Sequence, residues 1–152
     1  MIEHPTVHRG SGVATLIGVL SAAYAATFFL GALLHLGVKV PLGSTVLQEP
    51  RIIPATIVES LCGMALAVAA FAVLTRASRA WTVAVTAHAF ALGGVLLGIT
   101  ALAFGAGPST ELNTVYHRVM VVALLAVLAL LLSPVGRTGL RRAASPTVIQ
   151  SR

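Results

Sequence analysis

The sequence predicts an all-α integral membrane protein, a bundle of four transmembrane helices with both termini on the cytoplasmic side (N-in/C-in). Three observations carry that prediction. Of the 152 residues, 57% are hydrophobic and only 9% are charged, where an ordinary soluble domain is about 25% charged. Four apolar runs, roughly 12–38, 56–75, 80–104 and 112–133, meet the length of about 20 residues that a helix needs to cross the hydrocarbon core. The basic residues stand mostly at the edges of those runs, where membrane topology places them. No fifth span fits, and the chain reads as one membrane domain.

The first run contains Val19-Leu20-Ser21-Ala22-Ala23-Tyr24-Ala25-Ala26, whose A-x-A pattern resembles a signal-peptide end. The apolar stretch continues through Phe28 and Phe29 to Val38, beyond a signal h-region, so a span is expected. Its small residues suit close approach by a second helix. The following connection, about 39–55, holds prolines and Gly43 and is expected to be irregular, capping the outer mouth. Thr56-Ile57-Val58-Glu59 has capping-box spacing for the second helix. Ser78 is positioned to cap the third. Gly63 with Ala67 and Gly94 with Gly98 have the spacing of close helix contacts, within the bundle or with another subunit. Pro108-Ser109-Thr110-Glu111 reads as a turn into the fourth helix, which Ser133-Pro134-Val135-Gly136 ends. Residues 134–152 are expected to form a basic cytoplasmic tail near the membrane surface.

Ten Lys and Arg against four Asp and Glu leave a formal charge of +6. The scattered positions exclude a nucleic-acid face and favour anionic lipid headgroups as partners. With the N-terminus inside, the cytoplasmic side holds Arg9, Arg76, Arg79, Arg137, Arg141, Arg142 and Arg152, and the outside only Lys39 and Arg51. That bias orients the bundle in a cell membrane. The Arg-rich, lysine-poor composition points to a bacterial source. Cys62 is the lone cysteine, so there is no internal disulfide and no CxxC motif, and it reads as packing.

Chemistry, if any, belongs to the polar residues inside the spans, since burying them in hydrocarbon is costly. At 1.5 Å rise per residue, His35, Glu59 and His117 share one shallow outer layer. His88 lies about 10 Å deeper. Tyr24, Phe28, Gly31 and His35 form one stripe, Glu59, Cys62, Gly63 and Leu66 a second, and Asn113, His117, Met120 and Val121 a third. If all three look inward, His35, Glu59, Asn113 and His117 converge as a ligand-binding layer, with Arg118 at comparable depth.

Two histidines and a carboxylate, here His35, Glu59 and His117, are a donor set for a divalent metal such as Zn²⁺ or Fe²⁺. Structural readings stand beside the functional ones. Glu59 also suits the capping box or a pair with Arg118, His35 suits the interface, and His117 suits a backbone carbonyl. His88 is a cofactor-ligand candidate or a neutral imidazole bonded to Ser or Thr on another helix. Haem is disfavoured, because His88 has no histidine at its own depth. Trp81 and Tyr116 read as interfacial belt residues. No G-x-S-x-G, phosphate loop or HExxH is present, so nothing marks nucleophilic or zincin chemistry.

Two functional classes follow. The first is an accessory or assembly subunit of a larger membrane complex, partnered by other membrane subunits or by copies of itself. The alternative is a membrane-embedded ligand- or metal-binding enzyme that uses the outer polar layer. A channel would need more pore-lining polar residues than the spans contain.

Overall fold

A computed structural model describes residues 9–143, with side chains from 12 to 141. The order of elements is α1 (Arg9–Leu36), β1 (Val40–Leu42), β2 (Thr45–Leu47), α2 (Ile53–Leu74), α3 (Ala80–Ala103), α4 (Glu111–Leu132) and α5 (Pro134–Ala143). The segments Gly12–Leu36, Ile53–Leu74, Ala80–Ala103 and Glu111–Leu132 are long and apolar enough to cross a membrane, as the four runs require. Large side chains such as Phe71, Val122 and Val68 point outward, which suits lipid and not water.

Successive helices pack as neighbours: α1 on α2, α2 on α3, α3 on α4. Backbone approach is close because glycines face the partner helix. Gly18 meets Leu74, Gly63 meets the Phe29 ring, and Gly94 meets Cys62 and Val58. The interior is lined by Ile17, Phe28, Leu66, Ala84, Leu124 and Leu131, all essentially excluded from the surface. Ser21 sits among them and donates its hydroxyl to the Ile17 carbonyl at 2.7 Å, so its burial leaves no donor unpaired.

The 39–55 connection is more regular than its composition suggests. Val40–Leu42 and Thr45–Leu47 pair antiparallel, with Val40 opposite Leu47. Gly43 takes φ +59 at the first position of the two-residue loop, where hairpin geometry demands a positive angle. We call this the hairpin end of the bundle. The opposite, basic end carries the α2–α3 turn, whose Arg76 holds φ 58, and α5.

Several local expectations are corrected. Helix α2 starts one turn before Thr56, because Pro54 fits its first turn, where no backbone N–H is needed. Thr56 Oγ1 therefore points back to the Ile52 carbonyl, and Glu59 closes no capping box. Ser78 does not cap α3, whose N-cap residue is Arg79 without a side-chain bond. The first part of the expected tail is helical: the Gly136 N–H donates to Ser133 Oγ at 3.1 Å, Pro134 opens the helix, and Leu140 is buried in the core. α5 folds back onto α1 and α4, with Gly136 against the Leu130 carbonyl where no Cβ fits. Residues 144–152 of the expected tail lie outside the described residues.

Candidate functional site

At the hairpin end, three helix faces meet as their stripes imply. The buried face of α2 is Glu59, Cys62, Gly63 and Leu66, and that of α4 begins with Asn113, His117 and Met120. His35 is buried near the end of α1. Its Nδ1–H donates to the Pro50 carbonyl at 3.2 Å, which ties α1 to the chain entering α2, as does the Ile52 N–H on the His35 carbonyl.

His35, Glu59, Asn113 and His117 line one chamber of about 300 Å³. The rest of its wall is apolar, including Val58, Leu97, Ala101 and Leu102 from α2 and α3. A second chamber of about 110 Å³ lies towards α1. His35, Glu59 and Asn113 line both and so form the partition between them.

The polar atoms of this partition are mostly acceptors. A carbonyl only accepts, so His35 Nδ1 and His117 Nδ1 carry the protons in the bonds to Pro50 and to Asn113, the latter at 2.8 Å. In the neutral rings both Nε2 atoms are then bare acceptors. Glu59 Oε2, Asn113 Oδ1 and the Tyr116 hydroxyl are buried with no partner among the described residues. His35 Nε2 faces Glu59 Oε1 at 3.9 Å, too far for a direct hydrogen bond. A neutral imidazole and an ionised carboxylate so placed are two acceptors facing each other. A donor inserted between them from a ligand would satisfy both.

Two cavity-lining positions escape the sequence reading. Glu49, from the loop after β2, lines the smaller chamber and receives the Thr110 hydroxyl at 2.8 Å on both carboxylate oxygens. Thr110 Oγ1 in turn accepts the Asn113 N–H at 3.1 Å, so Glu49 is fixed over the positive end of α4. Tyr116 is no belt residue: it turns inward, edge-on to Phe28 and to His117, and lines the smaller chamber. The i, i+3 spacing of Asn113 and Tyr116 was the available signal. For Glu49 there was none, since a loop carboxylate has no periodicity.

The other expectations fare differently. Arg118 is exposed on α4 and lines neither chamber, because it follows His117 by one residue and so faces about 100° away. Among the described residues no three His, Cys, Asp or Glu side chains stand close enough to hold a metal ion, so His35, Glu59 and His117 form no preassembled metal set. The cause is side-chain aim. Glu59 lies against Gly31 of α1, where a Cβ would sit 2.8 Å from Oε1, whereas His117 Nε2 abuts Gly98 of α3, where a Cβ would sit 2.6 Å away.

Comparison with protein-family models, curated proteins and solved structures finds no match. The chemistry of the chambers therefore rests on their own atoms. His88, the deeper candidate, lines neither chamber. Its Nδ1–H donates to the Ala84 carbonyl at 2.8 Å and its ring stands edge-on to Tyr24 at 6.3 Å. The bond is thus to its own helix and not to a Ser or Thr of another, and His88 Nε2 is buried without a partner among the described residues.

Proposed function

We propose that this chain is a membrane-embedded binding protein whose hairpin-end cavity takes a small amphiphile carrying O–H or N–H donors. The observation that carries the reading is the surplus of buried acceptors on the partition: Glu59 Oε2 and Asn113 Oδ1 have no donor on residues that are 6% and 4% exposed. Leaving such atoms unpaired costs about 1–3 kcal/mol each, which a donor-bearing ligand recovers. Its apolar body fits the wall of Val58, Leu97, Ala101 and Leu102. A chamber of about 300 Å³ is at the lower end of small-molecule sites.

The test is thermal stabilisation of the purified protein by 4-butylphenol and by hexylamine, with 4-butylanisole, which lacks a donor, as control. The phenol or the amine should stabilise the wild type, the anisole should not, and Asn113→Leu and Glu59→Gln should lose the effect. Equal stabilisation by the anisole refutes the reading, since the cavity would then be an apolar void.

The accessory-subunit reading is second. It draws support from an apolar groove on the outer face of α2 and α3, lined by Leu61, Met64, Val68, Val83 and Phe90. Its other support weakens, since Gly63, Gly94 and Gly98 meet helices of the same chain. Cross-linking from position 68 in native membranes tests it, and a heteromeric adduct would favour it. Orientation is part of the same proposal: Arg76, Arg79, Arg137 and Arg141 at the basic end argue for a cytoplasmic position of that end. Cysteine at Ser44, in the hairpin, should react with an impermeant maleimide in intact cells, and cysteine at Ser78 should not.

A further inference from the structure

The described acidic residues, Glu49, Glu59 and Glu111, belong to the hairpin end, while Arg76, Arg79, Arg137 and Arg141 stand at the basic end. Among the described residues no arginine stands within ion-pair distance of a carboxylate, so these arginines have no carboxylate partner there. Two of them are nevertheless brought together. Arg137 and Arg141 are one turn apart on the exposed face of α5, and both guanidinium carbons stand over the same Trp81 ring, at 5.5 and 5.6 Å from its centre. The ring is anchored in turn, because Trp81 Nε1–H donates to the Leu131 carbonyl at 2.8 Å.

Gathering two like charges on one indole is unfavourable unless an anion joins them, although each guanidinium gains from the ring face. Space for that anion exists. A cleft of about 360 Å³ is lined by Leu132, Pro134, Arg137, Thr138 and Arg141. Leu132 is the last residue of α4 and is exposed, so the cleft opens where the fourth span leaves the hydrocarbon.

We infer that the Arg137–Arg141 cleft binds one anionic phospholipid, its phosphate between the two guanidinium groups and one acyl chain descending past Leu132. Arginine presents its N–H donors as a planar fork that matches phosphate oxygens. A zwitterionic lipid carries a cation beside its phosphate and meets the two arginines less favourably. A free phosphate offers the same oxygens but nothing for Leu132.

Trp81 is the only tryptophan in the chain, so its emission reports on the cleft directly. Full-length protein in neutral detergent would be titrated with short-chain phosphatidylglycerol, with phosphatidylcholine of the same chain length, and with inorganic phosphate. Phosphatidylglycerol should give a saturable change, with at least tenfold weaker binding of phosphatidylcholine and no response to phosphate in the same concentration range. The Arg137→Gln/Arg141→Gln protein should bind phosphatidylglycerol at least tenfold more weakly. The Arg76→Gln/Arg79→Gln protein, which loses the same charge at the same end, should stay within twofold of wild type. The inference is overturned if phosphatidylcholine binds equally well, if phosphate alone saturates the signal, or if both double variants lose affinity alike, which would mean diffuse charge and no site.

Discussion

Adding one methyl group at two neighbouring glycines of α3 should have opposite consequences. A Cβ at Gly93 meets nothing within 4 Å, whereas a Cβ at Gly94 would lie 2.5 Å from Cys62 Sγ and 3.2 Å from Val58 Cγ1. The contact with sulfur is short by about 1 Å of the 3.5–4 Å at which heavy atoms rest. Cys62 is fully buried, so it has no solvent-side space to move into, and α2 and α3 must part instead. Both substitutions exchange Gly for Ala in a helix and gain the same propensity, about 1 kcal/mol, so their difference isolates the packing. Overfilling a packed interior costs about 1–3 kcal/mol. Gly94→Ala should therefore be less stable than Gly93→Ala by about that amount. Removing the sulfur with Cys62→Ala should return part of the loss, as expected for residues in contact. Reversible unfolding in mixed micelles, followed by Trp81 emission, measures all four proteins. Equal stability of the two alanine variants would show that α2 and α3 are not in contact at Gly94, and the packing argument would fail.

Gly98→Ala should weaken binding of the donor-bearing probes, because the new Cβ takes the place of His117 Nε2; calorimetric titration of the variant with 4-butylphenol checks this. Tyr116→Phe should leave stability unchanged or slightly higher, since the hydroxyl it deletes is buried without a partner and carries a desolvation cost; a clear loss in the same unfolding assay contradicts the account. Arg76→Gly should stabilise by about 0.5–1 kcal/mol, because a left-handed conformation costs a side-chain-bearing residue about 1–2 kcal/mol, partly offset by the greater freedom of glycine when unfolded. Leu140→Ala should destabilise by about 2–5 kcal/mol if α5 is part of the folded core, and a shift near zero would mean that it is not.

The four spans were legible because hydrocarbon imposes a length and a composition that few other environments do. The inward stripes were legible for the same reason: once a helix is accepted, Glu59, Cys62, Gly63 and Leu66 fall on one face by geometry alone. Loop chemistry was hidden. Glu49 reaches the cavity only because the loop after β2 returns to the bundle and Thr110 holds it there, a contact across 61 positions of sequence. The aim of side chains was hidden as well. His35, Glu59 and His117 share a depth, but carbonyl bonds one turn back or across the loop set the tautomers, and Glu59 and His117 pack against glycines of two different helices. Residues 134–143 were misjudged because Arg and Gly dominate them. The Ser-Pro start that opens α5 was read only as the end of the preceding span.

The fold-back of α5 also sets an order on assembly. Each pairing of α1 with α2, α2 with α3 and α3 with α4 joins segments adjacent in the chain, so each can form as the later partner enters the bilayer. The contact of α5 with α1 is different: it joins the first helix to one that emerges only after the fourth span. Until that step α1 is held by α2 and by ring contacts of Tyr24 with His88 on α3 and Phe28 with Tyr116 on α4. A nascent chain halted before residue 134 would thus be inserted without the clasp between its two ends, and α5 is the element that closes the bundle on itself.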